Sequence, residues 1–87
     1  MEIAVWDTYV TRKDGKIMHF DILVDKSEID QNKIFEFGKN YLKSVMQEGQ
    51  ELTSKECNFC HIDKAPENIE NQVLKRGYAI IEMENCY

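Results

Sequence analysis

The run EIAVWDTYVTRKDGKIMHFDILVD, residues 2–25, decides the fold, because two β-rich segments flank a turn signal. Glu2 to Thr11 is dense in Ile, Val, Trp, Thr and Tyr and reads as a strand. Lys16 to Asp25 reads as a second strand, with Met18, Phe20, Ile22 and Val24 alternating against Ile17, His19, Asp21 and Leu23. Between them Lys13-Asp14-Gly15 is a tight hairpin signal. The turn length matters, since a one-residue slip sends each side chain of the first strand to the other face. A two-residue loop at Asp14-Gly15 would set Asp7 opposite Ile22 on the apolar face. A three-residue loop, with Gly15 left-handed in a bulge, pairs Arg12 with Lys16, Trp6 with Ile22, Ala4 with Val24 and Val10 with Met18. The second register hides Trp6 and spares Asp7, and it is the expected one.

On the opposite face this register sets Asp7 across from Asp21 and Tyr9 across from His19, which makes these four residues a candidate binding surface. Like charges directly opposed on a sheet are destabilising unless something neutralises them, and a cation, His19 or a lysine would serve. The alternative is a pair of solvated carboxylates on an open sheet face. Against it, Ile3, Val5, Ile17 and Leu23 share that face and make it too apolar for open water.

Beyond the hairpin, Ser27-Glu28-Ile29-Asp30 has capping-box spacing, and Asp30 is itself a good N-cap. A helix is expected from there to about Gln47, with Ile34, Phe37, Tyr41 and Val45 on one stripe and Phe35, Leu42 and Met46 beside it. Gly38 lies in this apolar sector, where a missing side chain lets a helix approach the sheet closely. Gly49 is the expected stop. Leu52 to about His61 reads as a third strand, or a strand ending in a turn. Pro66 opens a second helix, Ile69, Val73 and Leu74 give it a narrow apolar face, and Gly77 ends it. Tyr78 to Glu84 is the last strand and Asn85-Cys86-Tyr87 the tail. The order strand, strand, helix, strand, helix, strand predicts one α+β domain over residues 1–87. Its simplest form is a two-layer sandwich, a mixed four-stranded sheet with both helices on one face.

At 87 residues there is no room for a second core. A hydrophobic share of 43% and a charged share of 31% are those of an ordinary globule rather than a disordered chain. The net charge is −5 and the lysines and arginines are scattered, so there is no basic stripe for a nucleic acid and no attraction to an anionic membrane. The start, Met1-Glu2-Ile3-Ala4-Val5-Trp6-Asp7, lacks the basic and apolar regions of a secretory signal, and no segment has the apolar length of a bilayer span. The expected compartment is the cytoplasm, where thiols stay reduced.

Chemistry is suggested at Cys57-Asn58-Phe59-Cys60-His61. The string equals the c-type haem attachment signature, but that attachment takes place outside the cytoplasm, so haem is not expected. A thiol redox pair wants its first thiolate at a helix N-terminus, and Asp63, Lys64 and Ala65 intervene before Pro66. Zinc could take Cys57 and Cys60 with His61, Cys86 or His19, enough for at most one tetrahedral site. The fourth reading makes all three thiols packing groups. In an extended strand Cys57 and Cys60 point to opposite faces, and Cys57, Phe59 and His61 share one.

Asp7-Thr8-Tyr9-Val10, Asp14-Gly15, Met18-His19-Phe20-Asp21, Cys57 with Phe59-Cys60-His61, Gly77-Tyr78 and the terminal Cys86 together resemble the DUF2024 family of small bacterial proteins. The resemblance spans nearly the whole chain and implies a compact α+β domain of the bacterial cytoplasm. It brings no substrate, cofactor or catalytic residue. The family usually has Gly before its last cysteine where this chain has Asn85, the tolerable substitute if that backbone is left-handed. The functional expectation is a non-catalytic binding module using the face of Asp7, Tyr9, His19 and Asp21, with a second copy of the chain as one partner. A zinc domain through the thiols is the alternative. A small enzyme, with His19 as acid/base beside Asp7 or Asp21, or a thiol redox protein comes after it.

Overall fold

The computed structural model describes residues 1–86, so Tyr87 of the expected tail lies outside the described residues. The elements are β1 (Glu2–Thr11), β2 (Ile17–Asp25), α1 (Gln31–Ser44), β3 (Cys57–Lys64), α2 (Glu67–Arg76) and β4 (Ala79–Glu84). This is the expected α+β order, ββαβαβ. The β1–β2 hairpin takes the three-residue register: Trp6 pairs with Ile22, Asp7 with Asp21, Tyr9 with His19 and Val10 with Met18. The Arg12 N–H donates to the Lys16 carbonyl, the Gly15 N–H to that of Arg12, and Gly15 sits at φ +89°. A residue with a Cβ would be strained there.

Two parts of the expected architecture are corrected. The sheet is not mixed: its order is β3-β1-β2-β4 and all of its ladders are antiparallel. Although β3 runs parallel to β2, it is seated beside β1, which points the other way. The helices also do not share a face. α1 packs through Ile34, Tyr41 and Leu42 on the face of Ala4, Trp6, Phe20, Ile22 and Val24. α2 packs through Ile69 and Val73 on the opposite face, against Ile3, Val5, Leu23 and Ala79. Those apolar residues of the outer face need a cover, and a second helix beside α1 would leave them wet.

α2 covers only one end of that outer face. It joins β3 at one sheet edge to β4 at the other, and three strand spacings span about 14 Å. Ten residues of helix reach ~15 Å, enough for a single crossing. The crossing is tied to the end where β1 starts: the Ala65 N–H donates to the Met1 carbonyl, and the Met1 ammonium pairs with Glu70 at 3.3 Å. Leu74, expected on the apolar face of α2, is two-thirds exposed instead.

Local boundaries also moved. Asp30 caps α1, accepting from the N–H groups of Asn32 and Lys33. The helix stops at Ser44 rather than about Gln47, because Met46 already adopts the left-handed backbone at φ +63°, three residues before the left-handed Gly49. The Gln47 N–H then donates to the Leu42 carbonyl and the Met46 N–H to that of Lys43, which satisfies the last turn. β3 starts at Cys57 rather than Leu52. Thr53 to Glu56 form a turn in which the Glu56 carboxylate accepts from the Thr53 N–H and hydroxyl. Leu52 is freed to plug the core beneath Gly38. Gly77, at φ +93°, ends α2 as expected.

Candidate functional site

The part of the outer face beyond α2 carries the four predicted residues. Strand parity puts Asp7 and Tyr9 of β1 and His19 and Asp21 of β2 on one side, across from one another in two pairs. His19 Nε2 stands 3.6 Å from Asp7 Oδ1 and 3.8 Å from Asp21 Oδ1. These separations exceed a hydrogen bond. Both His19 Nε2 and Asp21 Oδ1 are nonetheless buried, and neither has a hydrogen-bond partner within the protein. The Tyr9 ring lies over the His19 ring with centroids 4.2 Å apart and planes 11° from parallel, which fixes the imidazole plane. Asp21 is only 8% exposed, whereas the Tyr9 ring is half exposed. Ile17, Ile81 and Met83 complete an exposed apolar rim.

The two carboxylates are held in different states. Burial first, and the Asp7 carboxylate second, push Asp21 up to about 6. Asp21, donating a hydrogen bond when protonated, in turn holds Asp7 below the ordinary carboxylate range. The pair therefore binds one proton more firmly than two separate aspartates would.

The thiols separate. Cys57 pairs with Thr8 and is buried on the α1 side, where it accepts from the Thr8 hydroxyl at 3.4 Å. Burial raises its thiol further from ionisation. Cys86 is buried in the same core, its thiol near the His19 carbonyl at 3.3 Å. Cys60 is exposed on the outer side, beside Asp7. The structure therefore does not bring Cys57, Cys60, His61 and Cys86 together, and the sulfurs of Cys57 and Cys60 point away from each other across β3. Such a pair closes neither a disulfide nor a shared metal site without refolding the strand.

A bulge in β3 adds what parity alone misses. Val5 pairs with His61 and Trp6 with Phe59, leaving Cys60 as the extra residue. Phe59 stays on the α1 side with its ring 5.8 Å from that of Trp6, and His61 moves to the outer face. His61 Nδ1 then lies 3.2 Å from Cys60 Sγ. No spacing rule places this bulge; the mismatch between Trp6, which wants an aromatic neighbour, and His61, which does not want the core, is its sequence trace. Asn85 does have a left-handed backbone, at φ +54°, and its amide donates to the Ile17 carbonyl.

Among the described residues, one group of three His, Cys, Asp or Glu side chains has donor atoms all within 4.8 Å of one another: Asp7, His19 and Asp21. No helix among those residues is long and apolar enough to cross a membrane. No curated protein matches the chain. Protein NE1680 from Nitrosomonas europaea, a structural genomics target solved by NMR, is 46% identical over 100% of both chains, with a TM-score of 0.86. The family described as "Domain of unknown function (DUF2024)" matches residues 1–83. With nearly every residue inside that match, the chain belongs to the DUF2024 family.

Proposed function

We propose that the chain is a non-catalytic binding module whose working surface is the end of the outer sheet face beyond α2. One observation supports this above the others: a nearly buried carboxylate, Asp21, faces a like charge, and its Oδ1 has no partner within the protein. A polar group placed for folding alone is normally satisfied, and leaving one unsatisfied costs about 1–3 kcal/mol. The apolar rim of Tyr9, Ile17, Ile81 and Met83 around this polar floor is the composition of a contact surface. Binding is favoured over turnover because the nearest nucleophile, Cys60, is shifted away from the thiolate by partial desolvation and by Asp7.

The test is the stability of Asp21→Asn in denaturant, with chelator present. A carboxyl whose folded pKa is raised stabilises the fold fully below its unfolded value of 3.8, and that contribution disappears as pH rises through about 6. Above this window the ionised Asp21 is a burden. The groups facing it are Asp7, His19, Cys60 and His61. A carboxyl raised to about 6 costs the fold up to about 3 kcal/mol once ionised, and the depressed Asp7 returns part of it, so Asn should gain ~1–2 kcal/mol at mildly alkaline pH. At pH near 4 the gain should vanish. A loss of stability on substitution at both pH values would make the carboxylate a structural element and end this reading.

A further inference from the structure

The same cluster admits a more specific ligand, and the inference rests on the binding-surface reading above. We propose that Asp7, His19 and Asp21 form a mononuclear site for a divalent transition-metal cation of the zinc type. The three donors converge from two adjacent strands, with His19 Nε2 3.6 and 3.8 Å from the carboxylate oxygens and all three within 4.8 Å. Ligands about 2.0–2.2 Å from one ion stand roughly 3–3.5 Å apart at tetrahedral or octahedral angles. The two imidazole–carboxylate separations are too long for direct hydrogen bonds, and a contraction of a few tenths of an ångström brings each to the spacing of shared coordination.

A second observation is independent of the clustering. Asp21 is more than nine-tenths buried, and its Oδ1 and the facing His19 Nε2 are the unpartnered atoms aimed into the gap. A cation satisfies both at once. It also removes the repulsion between two aspartates opposed on neighbouring strands. The imidazole nitrogen favours zinc, copper, nickel or iron over magnesium and calcium, which prefer all-oxygen shells. Tyr9 holds the imidazole by stacking, so the donor arrives already oriented. Asp7, with its side chain 39% exposed, leaves the entry open. Neither Cys57 nor Cys86 belongs to this set.

Zinc titrated calorimetrically into chelator-stripped full-length protein tests the assignment. The expected result is one ion per chain. His19→Gln and Asp21→Asn should each weaken it by more than the ~10–100-fold that loss of a merely supporting partner costs. Cys60→Ser and His61→Ala, at most supporting partners beside the carboxylates, should stay within that ~10–100-fold. Cobalt in the wild-type site should show d–d bands and no thiolate charge transfer. If His19→Gln fails to fold, the His19 Nε2 resonance of the wild type decides, and it must shift with one equivalent of zinc. Absence of stoichiometric zinc and cobalt binding, an unmoved His19 Nε2, or binding that survives His19→Gln overturns the proposal. So does a thiolate band lost in Cys60→Ser. No metal binding together with a stabilised Asp21→Asn removes the metal alone; a destabilised Asp21→Asn removes the binding surface with it.

Discussion

Replacing Phe20 by alanine is expected to cost about 3–5 kcal/mol, the range for emptying an aromatic site in a packed core. Phe20 is fully buried at the centre of β2 and packs against the Tyr41 ring of α1, with centroids 4.6 Å apart. Its removal therefore loosens the junction between hairpin and helix. Domains hold roughly 0.05–0.15 kcal/mol per residue, so a chain of this length has about 4–13 kcal/mol in total. Phe20→Ala should accordingly remove from about a quarter to all of that stability. Urea denaturation followed by circular dichroism measures this. Phe59→Ala is the natural comparison, since the Phe59 ring is half exposed on the edge strand β3 and should cost far less. Equal losses at the two positions would mean that the core does not lie between β2 and α1.

Gly38→Val is the second large effect. An added Cβ at Gly38 would stand 2.5 Å from Leu52 Cδ1 and 2.9 Å from Ile22 Cδ1, both in buried side chains. Valine adds two methyl groups beyond that. On an exposed helix surface the change from glycine would gain a few tenths of a kcal/mol through helix propensity. Here overpacking opposes that gain, at about 1–3 kcal/mol for an ordinary excess and more where the neighbours cannot withdraw. The net expectation is a loss of about 2 kcal/mol, since both clashing atoms are terminal methyls. With a urea slope near 1 kcal/mol/M for a small domain, the midpoint should fall by about 2 M. A gain in stability would show that α1 stands off the sheet at this position.

The hairpin and its consequences were legible because Trp6 and Asp7 are neighbours of opposite preference. Only one turn length buries the first and spares the second, and Gly15 supplies the left-handed residue that this length needs. The four residues of the outer face followed from strand parity alone. Gly38 was legible for a related reason: a glycine on an apolar helical stripe signals close approach.

What stayed hidden needs tertiary information. The side taken by α2 depends on where β3 and β4 enter the sheet, and no local pattern encodes that. Ile69 and Val73 show that α2 has an apolar stripe without saying which face receives it. The left-handed Met46 broke the expectation that a glycine ends the helix, since the hydrogen bonds to Leu42 and Lys43 outweigh the cost of its Cβ. Parity also assumes an unbroken ladder. The bulge at Cys60 moved His61 to the outer face and left Phe59 beside Trp6, and with it went the expected grouping of Cys57, Phe59 and His61.

The site requires His19 and its carboxylate neighbours to lie on the face turned away from α1. Through-space proton contacts from the His19 ring in solution test this most directly. The predicted result is strong contacts to the Tyr9 ring, stacked 4.2 Å away, and none to Ile34 or Leu42 of the α1 core. Contacts from the His19 ring to the methyl groups of Ile34 or Leu42 would put the histidine under the helix and contradict the site.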